Sequence, residues 1–214
     1  MNDNRRVPYR CLELRTPIEY SFHETIVQID PTAWRSRYWP EDHPLHKLIG
    51  DIVSGLDAPN TKVVLDKACG GEQKIQLFCT DASSYKSCLC HVDAAILFND
   101  QVKVIIEVEE SDIRPVHLCG KVFVSALATH YIHRKKPYRM ADTVFFVQVI
   151  DTSDKPDNAS KLPQCRYLET SIQNLLCVSN TPLQWDIFYG GASRFQRSED
   201  QQELMSHIRH AIAN

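Results

Sequence analysis

The chain has 214 residues, with 24 basic against 27 acidic side chains and a formal net charge of −3. That length suits one domain with a good core, and the mild acidity excludes a globally basic nucleic-acid binder, so any DNA surface has to be local. No apolar run approaches the roughly 20 residues a membrane-spanning helix needs, and the polar start at Met1–Pro8 lacks the apolar stretch of a signal peptide. The expectation is a cytoplasmic protein with no membrane partner. Its eight cysteines are scattered, several of them inside apolar patterns, as reduced and mostly buried cysteine would be.

Residues 1–20 are polar, with Pro8 and Pro17, and read as an arm or edge segment. Thr25 to Ile29 is a short strand, closed by Asp30-Pro31. Trp34, Arg35, Arg37, Tyr38 and Trp39 interleave aromatic and basic residues. That mix suits base stacking, but we read it as a loop packed onto the core. Acids at Glu41 and Asp42, then Pro44, open a helix. Leu45, Leu48, Ile49, Ile52 and Val53 give its apolar stripe, and Gly55 with Ala58-Pro59-Asn60 ends it. His46 and Asp51 fall off that stripe and are read as solvated.

Thr61 to Asp66 is the next strand. Gly70-Gly71 marks a turn or bulge, and Ile75 to Cys79 continues extended. Two longer strands follow, Cys88 to Phe98 and Val102 to Glu109, meeting at an Asn99-Asp100 turn. Val116, Cys119, Phe123, Leu127 and Tyr131 recur at helical spacing, which predicts a helix over 116–133. The cations His133 to Lys136 suit its C-terminal dipole, and Pro137 closes it. Thr143 to Ile150 is an almost unbroken apolar strand, so buried on both faces. A polar loop over 151–161, a short helix over 167–176, a strand over 183–189 and a helix opening at Ser198 complete the chain. The fold class is α/β, a central mixed sheet flanked by helices.

The chemistry concentrates in the hairpin. Alternate strand residues share a face, so Glu107 and Glu109 stand together, with Cα atoms roughly 6–7 Å apart, while Val104, Ile106 and Val108 take the other face. If Asn99-Asp100 reverses the chain, Asp93 on the partner strand comes beside the pair. A core strand excludes charge unless the charge is paired or holds a metal, and three converging carboxylates suit a hard divalent cation.

With Asp93 on one strand and Glu107-x-Glu109 on the next, the segment over 41–150 resembles the core of the PD-(D/E)xK nuclease superfamily, the restriction-endonuclease-like fold. The Glu-x-Glu form is similar to its BamHI-type branch. Val92 stands where the name-giving Pro belongs, and Glu109 where the Lys does. The resemblance implies one domain over 1–214, with an N-terminal arm (1–40) and a C-terminal extension (151–214) around that core. It also implies a metal-dependent DNA endonuclease using Mg²⁺, or Mn²⁺ as substitute. Asp93 and Glu107 would be metal ligands, with Glu72 as an extra acidic ligand. Glu109 would orient or activate water. Lys121, at a position to which some members move their lysine, would stabilise phosphate charge. Cutting duplex DNA at a symmetric site implies a homodimer. The alternative is an inactive module of the same fold that binds nucleic acid or a protein.

Cys88-x-Cys90-His91 could offer soft ligands to zinc, but a structural zinc needs four ligands and no second pair is evident, so buried structural cysteine is expected. Arg134-Lys135-Lys136 with Tyr138 and Arg139, and Arg194 and Arg197 about Phe195, are local candidates for phosphate contacts.

Overall fold

A computed structural model describes residues 43–110, 113–153, 156–179 and 183–214, with backbone only at 156–160 and 179. The arm, the strand at 25–29, the aromatic–basic run at 34–39 and the acids Glu41 and Asp42 lie outside the described residues. The elements are α1 (Pro44–Ser54), β1 (Thr61–Leu65), β2 (Ile75–Phe78), β3 (Cys88–Val92), β4 (Ala94–Phe98), β5 (Gln101–Glu109), α2 (Pro115–Ala126), β6 (His130–His133), β7 (Lys136–Ile150), α3 (Pro156–Ser179), β8 (Leu183–Tyr189), α4 (Ala192–Phe195) and α5 (Ser198–Ala213).

The mixed α/β expectation holds. β1, β4 and β5 pair antiparallel in that order, and β7 then β8 add parallel beyond β5. β3, β2 and β6 form an antiparallel set that joins the first half of β7. The 15-residue β7 therefore serves two ladders, its first half paired to β6 and its second half to β5 and β8.

Two apolar clusters sandwich the parallel part of the sheet. One face carries Ala94, Ile96, Val104, Ile106, Val108, Phe145, Val147 and Val149 against α1, α4 and α5. The opposite face carries Ala95, Leu97, Ile105, Phe146 and Ile150 against α2 and α3. Strand alternation decides this division, and it puts Glu107 and Glu109 on the α2/α3 side.

The helix predicted over 116–133 ends at Ala126, and His130–His133 is strand β6. Leu127 is 69% exposed and Tyr131, read as its partner on one helical stripe, is buried in β6. Thr129, Tyr131 and Ile132 favour extended backbone, and β6 pairs with β2 and β7. Arg134 and Lys135 are not a helix terminus. They take φ of 48° and 71°, the left-handed pair of a tight hairpin turn. The strand expected over 88–98 is two strands broken at Asp93. The loop expected over 151–161 is helix from Pro156, so the short helix over 167–176 is part of a 24-residue one. Among its described side chains Cys165, Ile172 and Leu176 are buried, and Leu162 and Leu168 pack against the same cluster; Pro163 inside the helix is the residue that hides it from a sequence reading. The Asn99-Asp100 turn is as expected, with φ of 49° and 61°.

Candidate functional site

Asp93 is the residue at which the chain leaves one ladder for another. Val92 ends β3, paired to β2, and Ala94 begins β4, paired to β1 and β5. Its backbone bridges both neighbours of β4: Asp93 N–H donates to Ile106 O (3.2 Å), and Asp93 O accepts from Asp66 N–H (2.8 Å). β4 begins opposite Ile106, so β5 runs on past it. There the Asp93 side chain takes over the ladder's role, its Oδ2 accepting Val108 N–H at 2.7 Å. The carboxylate is thereby pinned over the last residues of β5. Burial pushes its carboxyl up to about 6, with the His46 charge and the Val108 hydrogen bond opposing and Asp66 adding to the rise.

Glu107 is only 4% exposed, on β5 between its neighbours β4 and β7. Its Oε1 is ion-paired with Lys121 Nζ from α2, which also donates to His91 O at 2.9 Å. Its Oε2 is buried without a hydrogen-bond partner. Burial and then the Asp93 charge drive the Glu107 carboxyl well above the usual range, and Lys121 opposes them. For Lys121 burial pulls downward, but Glu107 outweighs it and the ammonium is held above its ordinary value. Asp93, Glu107 and Lys121 thus meet in one electrostatic cluster. Glu109, half-buried on the same face, acts on both Glu107 and Lys121.

Glu72 does not join them. It is exposed in the turn before β2 and makes no hydrogen bond or ion pair with Asp93, Glu107 or Lys121. The acid that reaches Asp93 from this part of the chain is Asp66, whose Oδ1 accepts Cys69 N–H at 2.9 Å. The loop after Asp66 is clamped closely: a Cβ on Gly71 would stand 1.9 Å from Leu65 O, and one on Gly50 of α1 would stand 2.0 Å from Cys69 O.

His46 is a site residue that the sequence reading placed in solvent. It is 9% exposed. Its Nδ1 lies 2.8 Å from Glu110 Oε2, and its Nε2 lies 3.6 Å from Asp93 Oδ2. Glu110 also accepts Leu45 N–H (3.0 Å) and His46 N–H (3.3 Å), so a carboxylate from the end of β5 satisfies the open first turn of α1. That anchoring fixes His46 between two acids. Among the described residues, His43, His46 and Glu110 are the group whose candidate ligand atoms all lie within 4.8 Å of one another. The signal in the sequence was slight: a His in the first turn of a helix, off its apolar stripe.

Asp93, Glu107 and the His46 ring offer the oxygen and imidazole donors that a hard or borderline divalent cation accepts, but together they are not among the described groups whose ligand atoms all lie within 4.8 Å of one another. The unpartnered Glu107 Oε2 is the buried acceptor such an ion would satisfy. Cys88 and Cys90 gather no such set. Cys90 Sγ contacts Ser125 Oγ at 3.9 Å, and Gln76 bonds both Cys88 and His91. Burial drives the Cys69 thiol upward, with Asp93 and Asp66 adding, which disfavours its thiolate.

The basic stretches lie elsewhere. Arg134, Lys135, Lys136 and Arg139 are exposed on the β6–β7 hairpin, and Lys136 pairs with Asp100 at 3.0 Å. Asp100 is at the other end of β5 from the acids, about 20 Å from Glu107 along the strand. Arg194 is committed to Asp200 (2.6 Å) and Glu203 (3.1 Å), Arg197 to Asp200 (2.7 Å), and Phe195 between them is fully buried. No protein-family model, curated protein or solved structure matches the chain.

Proposed function

We propose that this protein is a metal-dependent DNA endonuclease of the PD-(D/E)xK kind, cutting duplex DNA as a dimer. The observation that carries the reading is a carboxylate, Glu107, buried on β5 with one oxygen on Lys121 and the other unpartnered, beside Asp93. The strand plan supports it: a helix, an antiparallel β1-β4-β5 set, a helix, then β7 parallel to β5, with the acids at the β4 start and the β5 end.

A divalent cation bound there supplies Lewis acidity at a phosphate oxygen and an acidified water. Asp93 and Glu107 would hold it, with His46 Nε2 turned to the same place because Glu110 engages Nδ1. Glu109, less buried than Glu107, accepts the proton of the attacking water. Lys121 shifts from Glu107 toward the phosphate as charge builds in the transition state.

The test is cleavage of a plasmid with Mg²⁺ or Mn²⁺ by wild type and Glu107→Ala. Metal-dependent nicking by the wild type and none by the variant is expected; equal behaviour of the two removes the assignment. A second reading, the fold kept as a non-cleaving nucleic-acid-binding module, is favoured by the Lys121–Glu107 ion pair, which neutralises a ligand internally. Binding of duplex DNA without cleavage under any divalent metal would select it.

A further inference from the structure

Among the described residues, two buried side-chain polar atoms have no hydrogen-bond partner: Glu107 Oε2 and Gln148 Nε2. One is an acceptor and the other a donor. The residues that carry them are register partners across the parallel β5–β7 pair, where neighbouring strands lie about 4.8 Å apart. Both side chains rise on the same face, Glu107 in alternation with Ile105, and Gln148 with Phe146 and Ile150.

Gln148 is 0% exposed, so water from the surface does not solvate its amide, and an unmet buried donor costs about 1–3 kcal/mol. Its carbonyl end is already engaged. Trp185 Nε1 of β8 donates to Gln148 Oε1 at 3.0 Å, in a fully buried bond. An indole N–H can only donate, so this bond fixes which way the amide is turned. β7 lies between β8 and β5. With the carbonyl oxygen committed on the β8 side, the NH₂ is left on the β5 side, where Glu107 stands. On Glu107, Lys121 occupies Oε1. Oε2 has two lone pairs, room for both an N–H and a cation.

We infer that Gln148 is a positioning residue for Glu107: its amide N–H, aimed by Trp185, holds the Glu107 carboxylate across one bound water in the orientation that receives a divalent cation. The inference deepens the metal-site reading and rests on it. It gives a buried polar relay, Trp185 to Gln148 to Glu107, running across three adjacent strands. Gln148 itself touches neither substrate nor metal.

The test has two arms. In calorimetry on the folded variants, Gln148→Leu should weaken Mn²⁺ binding about 10–100-fold, and Trp185→Phe should weaken it in the same direction. In metal-free protein, the Gln148 side-chain amide resonance should shift on Glu107→Gln, which exchanges a charged acceptor for a neutral one. Wild-type Mn²⁺ affinity in Gln148→Leu, or an amide resonance indifferent to Glu107→Gln, overturns the inference. The resonance arm needs no metal and no altered Gln148. If the wild type binds no Mn²⁺, the metal site is refuted on its own, and the resonance still decides whether Gln148 and Glu107 are paired.

Discussion

At the scale of single residues, Asp93 carries the clearest pH signature. Its folded-state carboxyl is pushed up to about 6 from an ordinary 3.8. A raised carboxyl means the folded chain binds more protons than the unfolded one across that window. Stability of the metal-free protein therefore falls as pH rises from about 4 to 6 and the full penalty, about 3 kcal/mol, is present above it. Urea denaturation across pH 4–7 should show this slope in the wild type and a flatter one in Asp93→Asn. Lys121 acts in the opposite sense, since among the described residues it is the one that offsets the charge on buried Glu107 by an ion pair. Lys121→Met should destabilise the protein by about 3 kcal/mol where Glu107 is charged, and by less toward acid pH, since burial already holds the Glu107 carboxyl well above its usual range; the same denaturation series checks it. The shared strand face of Glu107 and Glu109 was legible in the sequence because alternation on a strand is a local rule. His46 and Asp66 were not legible, because what brings them to Asp93 is the packing of α1 and the β1–β2 loop, and no local period encodes that.

At the scale of elements, α1 is held to the site by contacts a sequence does not display. Glu110 satisfies its first turn, and Gly50 lets it lie on the Cys69 backbone. Gly50→Ala should push α1 away, costing about 1–3 kcal/mol in chemical denaturation and weakening Mn²⁺ binding through His46. Ordinary stability and affinity in that variant would contradict the role given to α1. The elements read well from sequence, α1, β5, β8 and α5, each carry one strong period and a clear stop. The misread ones lack a stop or a stripe. α2 runs into β6 with no Gly or Pro between Ala126 and His130. β3 and β4 come from one sequence run with no Gly or Pro, divided by a bend at Asp93 where its halves pass to different partners.

At the scale of the whole molecule, two apolar clusters press on the two faces of the sheet, and the acids sit where β4 begins and β5 runs past it. Charge in such a place is sustained by partners: Lys121, the Val108 N–H, His46 and, on our account, Gln148. The central claim is that Asp93 and Glu107 together hold a divalent cation. Calorimetric titration of Mn²⁺ into wild type, Asp93→Asn and Glu107→Gln at pH 7.5 tests it most directly. The account predicts saturable binding by the wild type and its loss in both variants; wild-type binding that survives in either variant, or no binding by the wild type at all, would contradict it.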